Sequence, residues 1–473
     1  MKSKRSSLPT PEIKTGPYAN IELLPVPREK KTRGIFSYIS LWLNSTACVT
    51  SFMVGSSLIL AGLDLVASLI ILSISTFIMS IFSTLIAHPG TKYGISYPVQ
   101  ARSVFGLLGS HIPSFIRGLV AAGWYGILLW IGGSALDSLV ILLIPIWRDV
   151  PFHTFYWFII FLITCLFFTL CYNPRKSKKH IQTLNTLSTS LLLISGIVWC
   201  IFLYLHFSQE GTNALINSNW NNDLLIKLFV AISFHWSTLT LNASDHSRFA
   251  RSQQTQIVGQ ISGLVLGQFI FAGIGIYVSY MSLILFNQPI WNPVENNNLT
   301  NLYFNLMLLF SIMLASLKTA LIVDISSINL ALINLFPKTI NWFRATVIST
   351  IIAILIQPWN LLRDWQSYLY TWIDGYGIFF GAIIGILLTD YFLINKRKLL
   401  IQDLYLKEGR YWYYSGINLN SLCAFIISVI ICFSGLFYEN LSLLYYAGPY
   451  LSIVISSLVY IIARIYNSSN TKL

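Results

Sequence analysis

The chain has 473 residues, of which 55% are apolar and 10% charged, with a mean hydropathy of +0.66. Soluble globular proteins carry about a quarter charged residues, so a soluble globule of this size is excluded. The net charge of +13 raises nucleic acid as a partner, but the positions of the charges point to membrane topology instead.

Residues 1–34 are polar, basic and proline-containing (Pro9, Pro11, Pro17, Pro25, Pro27) and read as a mobile cytoplasmic tail. No short apolar core with a small-residue cleavage site precedes the first long apolar run, so a removable signal peptide is not expected. A bilayer span needs about 20 mostly apolar residues. Such runs fall at 36–62, 65–88, 112–138, 154–172, 183–206, 225–243, 257–286, 303–334, 345–358, 368–394, 417–437 and 446–465, which makes twelve. With the N-terminus inside, 26 of the 30 Lys and Arg residues fall in inward segments. This bias predicts a multi-pass protein of a plasma or bacterial inner membrane with both termini cytoplasmic. The charge then needs no nucleic acid.

All six cysteines (Cys48, Cys165, Cys171, Cys200, Cys423, Cys432) lie in apolar segments without a CxxC pair, so neither disulfides nor a zinc site is expected. No P-loop, GxSxG or HExxH pattern is present, and nothing supports ATP-driven transport or intramembrane hydrolysis. No enzyme, cofactor or metal is expected.

Polarity inside a span usually lines a protein cavity, because hydrocarbon cannot satisfy it. In span 1, Asn44-Ser45-Thr46 interrupts an apolar helix. In span 6, His235-Trp236-Ser237-Thr238 leads through Asn242 to Asp245. These spans would correspond in two five-span halves, and paired interrupted helices point to a midplane transport site; helix packing through hydroxyls is the alternative for Ser45 or Ser237 alone. Span 3 holds Gly123-Trp124-Tyr125-Gly126 and Trp130-Ile131-Gly132-Gly133, where Trp130 reads as packing and Trp124 as packing or a stacking platform. Span 8 carries Lys318 and Asp324. A charge at that depth costs about 2.5–3.5 kcal/mol on insertion scales, so it should meet a partner or a wet cavity. Six residues apart, the two stand about 120° apart around a helix, which disfavours a direct pair. Asp374 in span 10 and His235 are the candidate partners.

The ordered blocks Lys92-Tyr-Gly-Ile-Ser-Tyr-Pro-Val-Gln-Ala-Arg-Ser-Val-Phe-Gly106, Gly123-Trp-Tyr-Gly-Ile-Leu-Leu-Trp-Ile-Gly-Gly133, Leu241-Asn-Ala-Ser-Asp-His-Ser-Arg-Phe-Ala250 and Asp390-Tyr-Phe-Leu-Ile-Asn-Lys-Arg-Lys398 with Asp403-Leu-Tyr405 resemble the nucleobase:cation symporter family. The family comprises permeases of purines, cytosine, uracil, allantoin and hydantoins. The resemblance runs from about Arg33 to Ile465 and implies an all-α, LeuT-like fold: inverted repeats at 35–206 and 207–398, then two C-terminal spans and a tail at 399–473. It implies that Trp124 and Trp236 sandwich a planar substrate. Where the family reads the heterocycle with amides, this sequence has Leu128, Asp324 and Cys48, and an ionised Asp324 would favour a donor-rich or cationic ring. His235 and Asn44 are further edge-reading candidates. The positions matching the sodium site of some relatives are Asn44, Ala47, Ala315, Lys318 and Thr319. An ammonium at Lys318 would repel Na+, so either Lys318 replaces the ion permanently or it exchanges a proton and couples transport to H+.

The leading expectation is therefore a sodium-independent importer of a planar nitrogen heterocycle. A carrier of a cationic vitamin of thiamine or pyridoxine type is the alternative, as is a transport-deficient sensor. Partners are the small-molecule substrate and the lipid bilayer, with oligomeric state left open.

Overall fold

The computed structural model describes residues 16–171, 178–210, 221–290, 292, 301–362 and 365–470. Almost everything described is helical. In chain order the helices are α1 (Ile35–Thr46), α2 (Val49–Leu60), α3 (Leu65–Tyr93), α4 (Tyr97–Phe105), α5 (His111–Leu143), α6 (His153–Cys171), α7 (Lys178–Glu210), α8 (Asn222–His235) and α9 (Ser237–Ser247). They continue with α10 (Gln253–Phe286), α11 (Leu302–Thr319), α12 (Ile325–Leu335), α13 (Trp342–Leu355), α14 (Pro358–Leu361), α15 (Trp365–Leu388), α16 (Leu419–Ser434), α17 (Ser442–Tyr446) and α18 (Gly448–Asn470). Among the described residues nine helices or helix pairs are long and apolar enough to cross a bilayer; α1 and α2 pass together as a span bent by 59°, and α13 and α16 are shorter apolar helices. These elements stand where the twelve apolar runs lie in the sequence.

The breaks have local causes. Span 1 leaves the helical path at Ala47 (ψ 72) and Cys48 (φ −143, ψ 158). The carbonyls freed there are taken up by side chains: Ser51 Oγ donates to Thr46 O at 2.7 Å, and Lys318 reaches two more. A backbone break inside a membrane persists only with such replacements. Span 6 merely hesitates at Trp236, where Ser237 Oγ donates back to Phe234 O at 2.5 Å. Span 8 contains a π-turn, Ala320–Asp324, joining α11 to α12. Such turns insert one residue into the ladder and rotate everything beyond it.

Two groups of helices pack around these breaks. The first is α1, α2, α3, α8, α9 and α10; the second is α5, α6, α11, α12 and α13; α7 bridges α10 and α11, and α15 meets α18, α16 and α8. Close approach in the first group depends on Gly259, Gly263 and Gly267 along one face of α10. A Cβ at Gly263 would stand 2.5 Å from Ile39 O and 2.8 Å from Trp42 Cβ. Small residues at this spacing let two membrane helices touch along their backbones.

The N-terminal segment departs from the mobile tail read from its composition. Residues 16–34 form a strap docked on the face that carries most of the basic residues. Leu23 is fully buried, Val26 N donates to Gly94 O at 2.9 Å, and Arg102 Nη1 donates to the carbonyls of Tyr18 and Leu404. Tyr405 Oη donates to Leu23 O at 2.9 Å, and Arg33 bridges to Ala250. Prolines suit this path of short turns because it needs few of their missing N–H donors. Residues 1–15 lie outside the described residues.

Candidate functional site

The best-defined polar contact is built on Lys318. Its ammonium, 1% exposed at the end of α11, donates to Asn44 O at 2.6 Å and Ala47 O at 2.7 Å, the two carbonyls flanking the break in span 1. Charge-assisted bonds of this length are the strong ones, and here they satisfy the cation and the broken backbone together. Asp374 and His235, the partners expected from the sequence, are not what it bonds. Lone carbonyls created by a helix break carry no signature in the side-chain pattern; the family resemblance alone set Asn44 and Ala47 beside Lys318. Asn44 turns its own amide to Ser40 Oγ at 3.0 Å, and Thr319 Oγ1 donates to Ala315 O at 2.9 Å within the same helix. A small cavity beside the ammonium is bounded by Asn44, Ser45, Asn185, Ile322 and Val323.

An aromatic cluster lies across spans 3, 6 and 10. The Trp124 ring is 4.9 Å from His235, edge-on, and 4.9 Å from Trp372; His235 is in turn 5.1 Å from Trp236. The indole Nε1 of Trp124 and of Trp236, and Nδ1 of His235, have no hydrogen-bond partner among the described residues though buried. Buried donors are normally satisfied, so unpaired ones gathered at one place are available to a ligand. Trp372 escaped the sequence reading; the signal was its one-turn spacing from Tyr376, whose hydroxyl donates to Phe234 O beside the span 6 break at 3.2 Å. Trp130 packs against Phe155, Phe158 and Trp359.

The remaining candidates differ in surroundings. Asp324, 5% exposed at the end of the π-turn, makes no hydrogen bond or ion pair with a described residue. Cys48 Sγ lies 2.9 Å from Thr50 Oγ1 and 3.4 Å from Ser51 Oγ, and Ser51 also donates to Gln268 Oε1 at 3.2 Å, leaving Gln268 Nε2 unpartnered. Leu128 belongs to an apolar cluster with Leu321 and Ile325. All six cysteines are free.

Two polar residues of span 6 serve elsewhere. Arg117, at the inner end of the run read at 112–138 and one of the 26 basic residues assigned to the inside, is fully buried in α5; its Nη1 donates to Asn242 Oδ1 at 2.7 Å and Asp245 Oδ2 at 2.8 Å, and its Nη2 to Ser327 O at 2.6 Å. Asp245 Oδ1 accepts from Tyr97 N at 2.8 Å, Asn242 also donates to Ser327 Oγ, and the guanidinium lies 4.6 Å from the Tyr97 ring centre. This network ties α9 of the first group to α5 and α12 of the second.

Comparison with known proteins gives the family and the fold. A family described as permeases for cytosine/purines, uracil, thiamine and allantoin matches residues 25–452. The chain is 34% identical over 433 residues to the purine-uracil permease NCS1 of Arabidopsis thaliana, covering 87% of this chain and 70% of that one. It is 28% identical over 465 residues to the allantoin permease of Bacillus subtilis, covering 94% and 92%. Among solved structures, Mhp1 in a closed conformation with bromovinylhydantoin bound superposes with a TM-score of 0.81 at 19% identity, covering 96% of each chain. Inward-facing Mhp1 gives 0.80 at 20% identity, covering 96% and 94%. The fold is therefore LeuT-like.

Proposed function

Because the chain belongs to the permease family for cytosine/purines, uracil, thiamine and allantoin, the nucleobase:cation symporters, we propose that it imports a planar nitrogen heterocycle by alternating access and does so without sodium. The single observation that carries the sodium-free reading is the Lys318 ammonium on the carbonyls of Asn44 and Ala47. A bound Na+ would need those same oxygens and would sit beside a positive charge. Lys318 is a tethered cation that holds the two halves of span 1 together.

The heterocycle stacks between Trp124 and Trp236, and the unpaired N–H groups of the indoles and the unpaired imidazole nitrogen meet its carbonyl and ring-nitrogen edges. Leu128 offers an apolar wall in place of an amide, so selectivity rests on Asp324, Cys48 and His235. Alternating access moves the two helix groups about this point, with the basic face toward the cytoplasm of a plasma or bacterial inner membrane.

A second reading, a cationic vitamin as substrate, is favoured by the unpaired Asp324 carboxyl. Thermal stabilisation of the purified chain by uracil, adenine, allantoin, hydantoin, thiamine and pyridoxine, followed by uptake of each binder into proteoliposomes, separates the readings. Stabilisation and accumulation of a neutral heterocycle are expected. Thiamine or pyridoxine as the only binder selects the second reading, and binding without flux would mean a sensor and contradict transport.

A further inference from the structure

With Lys318 fixed to two carbonyls, transport against a gradient needs another group to carry the coupling charge. Among the described residues, two carboxyls buried in spans have an oxygen without a partner. Asp374 Oδ1 is one, but Lys227 of α8 supplies that residue with a nearby positive charge. Asp324 has no such counter-charge. It is 5% exposed and makes no hydrogen bond or ion pair with a described residue. Its helix is the one that carries Lys318, and its neighbours Ile322 and Val323 border the cavity beside that ammonium.

The elements packed on the π-turn are α5, α6, α11 and α12. The titratable group of α5 that interacts with Asp324 is Tyr125; α6 presents Cys165, which interacts with Tyr125. On α11, Lys318 interacts with Cys48. On α12, Ser326 Oγ donates to Ile322 O and Ser327 Oγ to Val323 O, both carbonyls of the π-turn. An ionised carboxylate so enclosed would pay its desolvation with nothing to offset it. A proton removes the charge and turns an acceptor-only group into a donor.

We propose that Asp324 is the proton carrier of this transporter. The inference rests on the sodium-free reading of Lys318. When the site faces outward, one Asp324 oxygen takes a proton from water, forming an O–H bond, and the neutral acid is enclosed with the substrate. When the site faces inward, the O–H bond breaks and the proton leaves to the cytoplasmic water. Lys318 keeps its charge throughout. Each neutral heterocycle therefore enters with one H+, and one positive charge crosses the membrane.

Two measurements on the full chain in sodium-free proteoliposomes test this. Dicyclohexylcarbodiimide adds to protonated carboxyls in membranes, and peptide mass spectrometry is expected to find Asp324 modified, more slowly as pH rises from 5.5 to 8.5. An Asp324 that stays unmodified at pH 5.5 overturns the proposal without reference to any substrate or variant. Uptake of radiolabelled uracil or allantoin is expected to acidify pyranine inside the vesicles with one H+ per molecule, and Asp324→Asn to abolish the acidification. Uptake without acidification, or acidification that survives in the Asn variant, overturns it. A Na+ requirement, read at constant pH in the same vesicles, removes the Lys318 reading and is scored separately from the carbodiimide result.

Discussion

Lys318 decides how span 1 can break. A carbonyl left unpaired in hydrocarbon costs several kcal/mol by general estimate, and one side chain meets two of them. The aromatic residues make the other half of the proposed site. Base–aromatic stacking is worth about 1–3 kcal/mol per base, so Trp124→Ala is expected to weaken heterocycle binding about ten- to hundredfold in a calorimetric titration. An unchanged affinity would return Trp124 to packing against Trp372. At this scale much was legible in the chain: a Lys and an Asp in an apolar run, and two tryptophans beside polar or glycine residues, are costly enough to stand out. The partner of Lys318 is backbone and was not legible in the side-chain pattern; only the family resemblance set Lys318 beside Asn44 and Ala47. Trp372 was missed because one aromatic more in an aromatic-rich span raises no contrast.

At the scale of elements, the π-turn and the break do the positioning, and the Arg117 network sets how the two helix groups meet. Arg117 is fully buried with three acceptors from α9 and α12. Removing one charge from a buried pair costs about 3–5 kcal/mol because the partner is left uncompensated. Asp245→Asn is therefore expected to lower the thermal midpoint clearly and to loosen α9 from α5. Faster hydrogen exchange at α4 and the end of α9, with the rest of the chain unaffected, is the signature; unaltered exchange there would mean that the network does not hold the groups together. The spacing of Asn242 and Asp245 was visible as polarity inside a span, but polarity alone does not distinguish a cavity lining from a buried latch. Nor does a count of basic residues distinguish Arg117 in a helix from a lysine in a loop.

Across the whole molecule, the apolar runs told of a helical multi-pass protein, since hydrocarbon length and helical hydrogen bonding leave few alternatives; the LeuT-like architecture came only from the family resemblance of the four ordered blocks. The strap was not foreseen. Its composition is that of a free tail, and its order comes from receptors far along the chain, among them Arg102, 84 residues from Tyr18, and Tyr405, 382 residues from Leu23, together with Gly94. Tyr405→Phe removes one such bond, worth about 1 kcal/mol. Limited trypsin digestion is expected to cut faster after Arg28 and Lys30 in that variant, and an unchanged rate would show that the strap is held without it.

The central claim is that a tethered ammonium occupies the place of a transported cation. Its most direct test is radiolabelled uptake of the heterocycle that stabilises the protein, into proteoliposomes with Na+ replaced by choline, for the wild-type chain and for Lys318→Ser. The account predicts undiminished uptake in choline for the wild type, and for the Ser variant either lost uptake or uptake that now requires Na+. A steep Na+ requirement in the wild type, or a Ser variant that transports like the wild type in choline, would contradict it.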